Sequence, residues 1–310
     1  MSHLALSAVL LAASVGLVAL LTGCTSPAPA PHVTSASPGS VGHSPELQHV
    51  VIIVEENKPA SAIIGNAAAP YLNGLASEFS VATNYRGVSH PSLPNYLALT
   101  SGTTAGITSD CNPPGVFCRA SVANIADEIV ASGRTWKAYA ESMPAPCSPH
   151  NSGEYAVKHN PFLYYPSVTR DPANCVAHDV PYSQFARDLA STSTLPSYSF
   201  ISPNLCNDMH DCSVAAGDGW LAREVPRILN SPAFTEQNSL LIITFDEAET
   251  SGNSVLCVFA GPAAKLGYTS STPFSHYSIL RTLEVAWGLD PLTRHDAAAT
   301  PMTDMLATSP

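Results

Sequence analysis

Two short apolar runs, each cut off by carboxylates, constrain this chain more than anything else in it. Val50-Val51-Ile52-Ile53-Val54 is followed by Glu55, Glu56 and Asn57, and Leu240-Leu241-Ile242-Ile243-Thr244-Phe245 is followed by Asp246 and Glu247. Runs this short and this rich in β-branched residues suit strands covered on both faces, as in a parallel sheet. In open α/β sheets the groups that meet ligands lie beyond the carboxyl ends of such strands, so both acidic pairs are expected along one edge. Carboxylates gathered away from water are costly unless a cation neutralises them, and all-oxygen donors suit a metal ion. The competing reading of either pair is charge left in solvent just past a strand end.

A third segment supplies a hydroxyl. In Ser89-His90-Pro91-Ser92-Leu93-Pro94-Asn95-Tyr96-Leu97-Ala98-Leu99-Thr100-Ser101-Gly102, prolines restrict the backbone on both sides of Ser92 just before an apolar run that can form a helix. Proline is tolerated in a first helical turn, where its missing N–H would have been unpaired anyway. Ser92 would then face unpaired backbone N–H groups and the positive end of the helix dipole, which suits holding a phosphate-like anion. An ordinary serine N-cap with Asn95 bonding locally is the bland alternative.

Together these segments resemble the bacterial phosphoesterase family of acid phosphatases and C-type phospholipases, a branch of the alkaline phosphatase superfamily, and the likeness spans most of the chain. Glu56-Asn57 matches that family's first metal-binding motif, and Asp246-Glu247 its late acidic pair. Ser92, with Pro94 and Asn95 after it, looks like the nucleophile motif of the superfamily's nucleotide phosphodiesterases. The resemblance implies a single alkaline-phosphatase-like α/β domain, with a mostly parallel sheet and helices on both faces. It also implies one divalent metal held by Glu56, Asn57, Ser92, Asp246 and Glu247, with Ser92 as nucleophile and Asn95 donating to a phosphoryl oxygen. Oxygen ligands favour Ca, Mg or Mn, while the superfamily often uses Zn.

Three further segments are similar: Lys158-His159-Asn160-Pro161-Phe162, the stretch from Ser202 to Asp211, and Ser275-His276-Tyr277-Ser278. Relatives with two metals use an Asp and two His for the second ion, and Asp208, His210 and His276 offer that set. The short spacing from Asp208 to His210 departs from the two-metal pattern, which leaves Asp208 and His210 as second-metal ligands or phosphate contacts. His159 and His276 are alternatively protonated groups on phosphate or the leaving oxygen, and a lone histidine is most often only a hydrogen-bonding group. The implied activity is metal-dependent hydrolysis of phosphate esters through a phosphoserine, with a phosphatase first and a phosphodiesterase or phospholipase C as the alternative. A non-catalytic metal- or ligand-binding surface lipoprotein stands as the reading from another class.

Composition bounds these readings. At 310 residues, 45% of them hydrophobic, one α/β domain can bury a sizeable core. A formal charge of -11 argues against a nucleic-acid-binding surface and repels an anionic phosphate ester unless the site is locally positive. No feature calls for a protein partner.

Residues 4–21 form an apolar run, and Leu21-Thr22-Gly23-Cys24 resembles the lipobox of bacterial lipoproteins. That likeness implies export, lipidation of Cys24 and anchoring to the outer face of the cell membrane. The start carries His3 but no Lys or Arg, and a transmembrane anchor is the alternative. Residues 25–48, rich in Pro, Ala, Ser and Gly, read as a tether, so the domains are 1–24, 25–48 and 49–310. Beyond Cys24, an oxidising compartment and the cysteine spacings suggest pairs Cys111–Cys118, Cys206–Cys212 and Cys147–Cys175, leaving Cys257 as a buried, inert thiol.

Coarser signals fill in alternating elements. Residues 121–132 have helical spacing with Ser121 as N-cap and Gly133 as stop, and a strand is expected over 135–139 and another over 198–201. Residues 219–229 read as a helix broken or kinked at Pro226, and Leu280, Leu283, Val285 and Ala286 lie in a helix after His276. The Pro-, Tyr-, Asn- and Cys-rich region 142–195 reads as an insertion across the catalytic edge where substrate choice resides.

Overall fold

A computed structural model describes residues 46–307. The apolar run, Cys24 and nearly all of the tether lie outside the described residues. Ten strands follow in chain order: β1 (His49–Glu55), β2 (Ser80–Ala82), β3 (Tyr85–Arg86), β4 (Trp136–Ala140), β5 (Asp179–Pro181), β6 (Tyr198–Ser202), β7 (Ser239–Phe245), β8 (Cys257–Ala260), β9 (Tyr268–Ser270) and β10 (Phe274–Ser275). Eight of them form one sheet in the order β5-β4-β6-β1-β7-β8-β2-β9, and β3 pairs with β10 apart from it.

From β5 to β7 every pairing is parallel. β8 then runs antiparallel to both β7 and β2, so the sheet is mostly parallel but mixed. The turn-around follows from length: residues 246–256 join β7 to β8 without a helix, and a parallel return needs a crossover of about a dozen residues or more. Every residue of β1 and β7 is buried, which requires cover on both faces of the sheet. The helix Ser92–Ser101 packs on His276–Trp287, and Pro70–Glu78 packs on Val214–Leu229.

Register positions the acidic pairs. Glu55 lies opposite Phe245, so Glu56-Asn57 and Asp246-Glu247 leave the sheet side by side. The Asp246 N–H donates to the Glu55 carbonyl at 3.0 Å, and the Glu56 N–H to the Asp208 carbonyl at 2.8 Å. Three disulfides form, Cys111–Cys118, Cys147–Cys175 and Cys206–Cys212, and Cys257 is a buried free thiol on β8.

Two helices differ from the sequence reading. The one expected from Ser121 begins at Ile125, because Asn124 and Asp127 form a reciprocal capping box that Ser121 has no partner to match. The helix expected over 219–229 starts at Val214, capped by Ser213, and runs through Pro226 to Leu229. Pro226 is tolerated because the carbonyl it leaves unbonded, one turn back at Ala222, belongs to an exposed residue. No helix among the described residues is long and apolar enough to cross a membrane.

Candidate active site

Ser92 is the first residue of the helix Ser92–Ser101, with Pro91 as its extended N-cap and left-handed Gly102 closing the far end. All ten residues of that helix are buried, so its orientation is fixed by packing on every side. Ser92 Oγ donates to Glu56 Oε2 at 3.0 Å, and one turn later Tyr96 Oη donates to Glu56 Oε1 at 2.6 Å. Residues four apart share a helix face, which is why one helix grips both oxygens of one carboxylate.

His159 completes the pocket wall. Its ring stacks on Tyr96 with centroids 5.4 Å apart, its Nε2 lies 3.2 Å from Glu56 Oε1, and its Nδ1 lies 3.1 Å from Asp208 Oδ2. The Asp208 loop is closed by Cys206–Cys212 and held by the His210 N–H donating to Asp208 Oδ1 at 2.8 Å. Beyond it, Lys158 Nζ lies 3.3 Å from His210 Nε2 and 2.8 Å from Asp110 Oδ2. Asp110 Oδ1 accepts the N–H of Leu93, so this cation is tied to the start of the Ser92 helix.

On the β7 side, Asp246 Oδ1 accepts the Asn57 N–H at 3.1 Å, while buried Asp246 Oδ2 has no partner. Asn57 is in the left-handed region at φ 59, which turns the chain so that its N–H points at Asp246. Glu247 pairs with Nδ1 of His90. Gly87 is required nearby: a Cβ there would come within 2.8 Å of the Asp246 carbonyl oxygen.

Burial sets the electrostatics. It pushes Glu56 well above the usual carboxylate range, helped by Asp246 and Asp208, and pushes Asp246 up with help from Glu247. Asp208 is pushed up to about 7, again chiefly by burial. Burial holds His159 well below the usual histidine range, so it faces the carboxylates as a neutral ring. Asp246 Oδ2 has no hydrogen bond, and the buried His159 Nε2 and Asp208 Oδ2, though 3.2 and 3.1 Å from Glu56 Oε1 and His159 Nδ1, make none of good geometry. Ligand atoms of Glu56, His159 and His210 lie within 4.8 Å of one another.

Two residues of the expected site are engaged with the protein itself. The Asn95 amide is engaged in the turn before the helix: Nδ2 donates to the Ser89 and Pro91 carbonyls, and Oδ1 accepts the Val88 and Ser89 N–H groups. It is a positioning residue that holds the loop before Ser92. His276 likewise has both nitrogens spent, on the Asp246 carbonyl through Nε2 and on Tyr85 Oη at 2.8 Å through Nδ1. The carbonyl must accept, so the Nε2 proton is fixed there. Burial lowers the His276 pKa to about 4, and the neutral ring buttresses Asp246 instead of contacting phosphate or a second ion.

Ser92 meets Glu56, Asp246 meets the Asn57 N–H, and His159 lies against Glu56 and Asp208, whereas Glu247 is paired with His90. Tyr96, Lys158 and Asp110 were missed. Tyr96 was detectable as the residue one turn from Ser92, and Lys158 as the cation beside His159, whereas nothing local marked Asp110.

A profile described as the Phosphoesterase family matches residues 63–290. The chain belongs to that family. This phosphoesterase is 38% identical over 263 residues to a phosphatidylinositol-3-phosphatase of Mycobacterium tuberculosis, covering 84% of this chain and 83% of that protein. It is 33% identical to a phosphate-repressible acid phosphatase of Penicillium chrysogenum, covering 93% of this chain and 73% of that one. Among solved structures it is similar in fold to the lipoteichoic acid synthase LtaP from Listeria monocytogenes, with a TM-score of 0.58, 9% identity and coverage of 86% of this chain and 79% of that one. A protein in the alkaline phosphatase superfamily from Vibrio parahaemolyticus is similar at a TM-score of 0.56 and 11% identity, covering 81% of this chain and 69% of that one. The phosphoesterase is an enzyme acting on phosphoric esters, and its fold is similar to that of the Vibrio parahaemolyticus protein.

Proposed function

We propose that this phosphoesterase removes phosphate from monoesters by way of a phosphoserine at Ser92, phosphodiester cleavage being the second reading. The observation that carries the proposal is the Ser92 hydroxyl at a helix start, bonded at 3.0 Å to the buried Glu56 carboxylate. Ser92 Oγ forms a bond to phosphorus as the ester oxygen leaves, and the Ser92 proton passes to Glu56 Oε2. The leaving oxygen takes a proton from water. Water then attacks phosphorus, the Ser92 Oγ–P bond breaks, Glu56 returns the proton to Ser92, and phosphate departs. The positive end of the helix dipole and the Lys158 ammonium favour the anion throughout. The name of the Mycobacterium tuberculosis relative supports a phosphorylated inositol lipid as one such monoester.

The donor set fits a divalent metal. Buried Glu56 accepts from Ser92, buried Asp246 accepts the Asn57 N–H and keeps Oδ2 without a hydrogen bond, and Glu247 follows Asp246 in the chain. A metal held by these five residues would neutralise the carboxylates and supply positive field at the phosphoryl oxygens. The test is phosphate release from phosphomonoesters, phosphodiesters and phosphatidylcholine, before and after chelation and with single metals restored. Release from monoesters that is lost on chelation and regained with one metal is expected. Full activity after exhaustive chelation would remove the metal.

We also propose export and lipid anchoring at Cys24, a reading supported by the lipobox-like sequence and by three disulfides of the kind kept in oxidising compartments. Mass measurement of the mature N-terminus decides it. A lipid-modified Cys24 is expected, and an intact Met1 would sink it.

A further inference from the structure

The loop closed by Cys111–Cys118 narrows to a two-residue tip. Gly115 and Cys118 exchange backbone hydrogen bonds at 3.1 and 3.0 Å, which leaves Val116 and Phe117 at the turn. Hairpin tips of this size favour Gly, Asn and Asp, which are at home in water and in turn geometry. Here Val116 is 80% and Phe117 101% exposed, the two highest values for large hydrophobic side chains among the described residues. Single exposed apolar residues need no explanation, but an adjacent pair on a braced tip does.

The bracing runs to the reaction centre. Asp110, next to Cys111, holds the Leu93 N–H beside Ser92 and the Lys158 ammonium. Tyr164 Oη donates to the Cys111 carbonyl at 3.0 Å, and the Ala120 N–H donates to the Tyr164 carbonyl at 2.9 Å. A cleft of about 230 Å³ lies between this loop and the Cys147–Cys175 bridge, lined by Pro114, Arg119 and Leu163 among others. The apolar tip is thus rigidly tied to the start of the nucleophile's helix.

We propose that Val116 and Phe117 form a wedge that enters a lipid bilayer and holds the active site against phosphate esters carried there. This rests on the monoesterase reading above and narrows its substrates to amphiphiles. A bilayer is the favoured occupant for two reasons. The Mycobacterium tuberculosis relative is named for a phosphorylated lipid. Residues 25–48, following the lipobox-like Cys24, have the Pro-, Ala-, Ser- and Gly-rich composition expected of a tether, and a chain held at Cys24 would stay beside the surface that holds it.

The test uses the full chain reconstituted with phosphatidylcholine vesicles containing phosphatidylinositol 3-phosphate, where wild type and variants share any N-terminal anchor. The double variant Val116→Ser/Phe117→Ser is expected to release phosphate from vesicles roughly tenfold more slowly, the size expected from withdrawing a phenylalanine from an apolar phase. Its rate on soluble p-nitrophenyl phosphate stays within about twofold. In parallel, emission of the Phe117→Trp variant, corrected for wild type, shifts to the blue and is quenched by brominated acyl chains. Equal loss on both substrates, no loss on vesicles, or emission insensitive to brominated lipid overturns the wedge. Wild type inactive on both substrates would instead overturn the monoesterase reading, while the emission arm still decides whether the tip enters lipid.

Discussion

Glu55 and Glu56 are neighbours at the end of one strand, both with 0% exposure, and they have opposite fates. Glu56 is held by two hydroxyls and faces a histidine. Glu55 turns to the other face of β1, and neither of its oxygens has a hydrogen-bond partner. Burial pushes both carboxyls far above their usual range, with Asp208 adding to each. The other carboxylates near Glu55 are occupied with structural work: Glu141 accepts from Asn204, Asn207 and Trp220, and Asp218 caps the helix Pro70–Glu78 through the Tyr71 and Leu72 N–H groups. A perturbed carboxyl therefore does not mark chemistry by itself. What distinguishes Glu56 is a hydroxyl in reach and unpartnered ligand atoms around it.

The largest effect expected from testing this contrast is at Ser92. Ser92→Ala should lower phosphate release by roughly a thousandfold or more while moving the melting temperature by only about 2–3 °C, since alanine fits a first helical turn. Near-normal turnover in a well-folded variant would strip Ser92 of its role. Next is Asp246→Asn, whose amide oxygen keeps the Asn57 bond but removes a charge. Cation affinity and activity should fall together by at least roughly ten- to a hundredfold, and calorimetric titration showing unchanged binding would place Asp246 outside the site.

A smaller effect is set by pH and covers both faces of β1. Carboxyls raised in the fold, including Asp179 and Asp208 at about 7, keep protons that the unfolded chain has released above about pH 4. The folded state then binds more protons than the unfolded one, so stability falls as pH rises, by up to roughly 1.4 kcal/mol per pH unit for each such group. Melting of chelated protein should accordingly drop between about pH 4 and 7, and a restored divalent cation should flatten the fall. An upward trend would mean these groups are ionised in the fold. The smallest effect is at Glu55: Glu55→Gln should leave activity within about threefold and stability unchanged or improved. A hundredfold loss there would erase the distinction between the two faces.

The strands were legible because β1 and β7 each carry an apolar run that ends abruptly in charge, and their parallel register placed the two acidic pairs side by side. The helix that begins at Ser92 was legible from its prolines. What escaped were decisions made by distant partners. Asn95 follows Ser92 as the motif requires, yet its amide is consumed by the turn at Val88, Ser89 and Pro91. His276 was visible as a histidine at a helix start, but only packing shows that it props a backbone carbonyl. Pro226 suggested a break where the exposed turn at Ala222 absorbs the lost bond.

The grip of Ser92 and Tyr96 on a single carboxylate acts as a vernier. A helix advances about 100° and 1.5 Å per residue, so inserting or deleting one position between them would swing one hydroxyl off the carboxylate while the other stayed. The helix cannot slide along its axis either, because both bonds would lengthen together. Drift in this segment is thereby limited to exchanges of side chain at constant length, and the spacing of the two hydroxyls on Glu56 is carried by counting residues instead of by any adjustable loop.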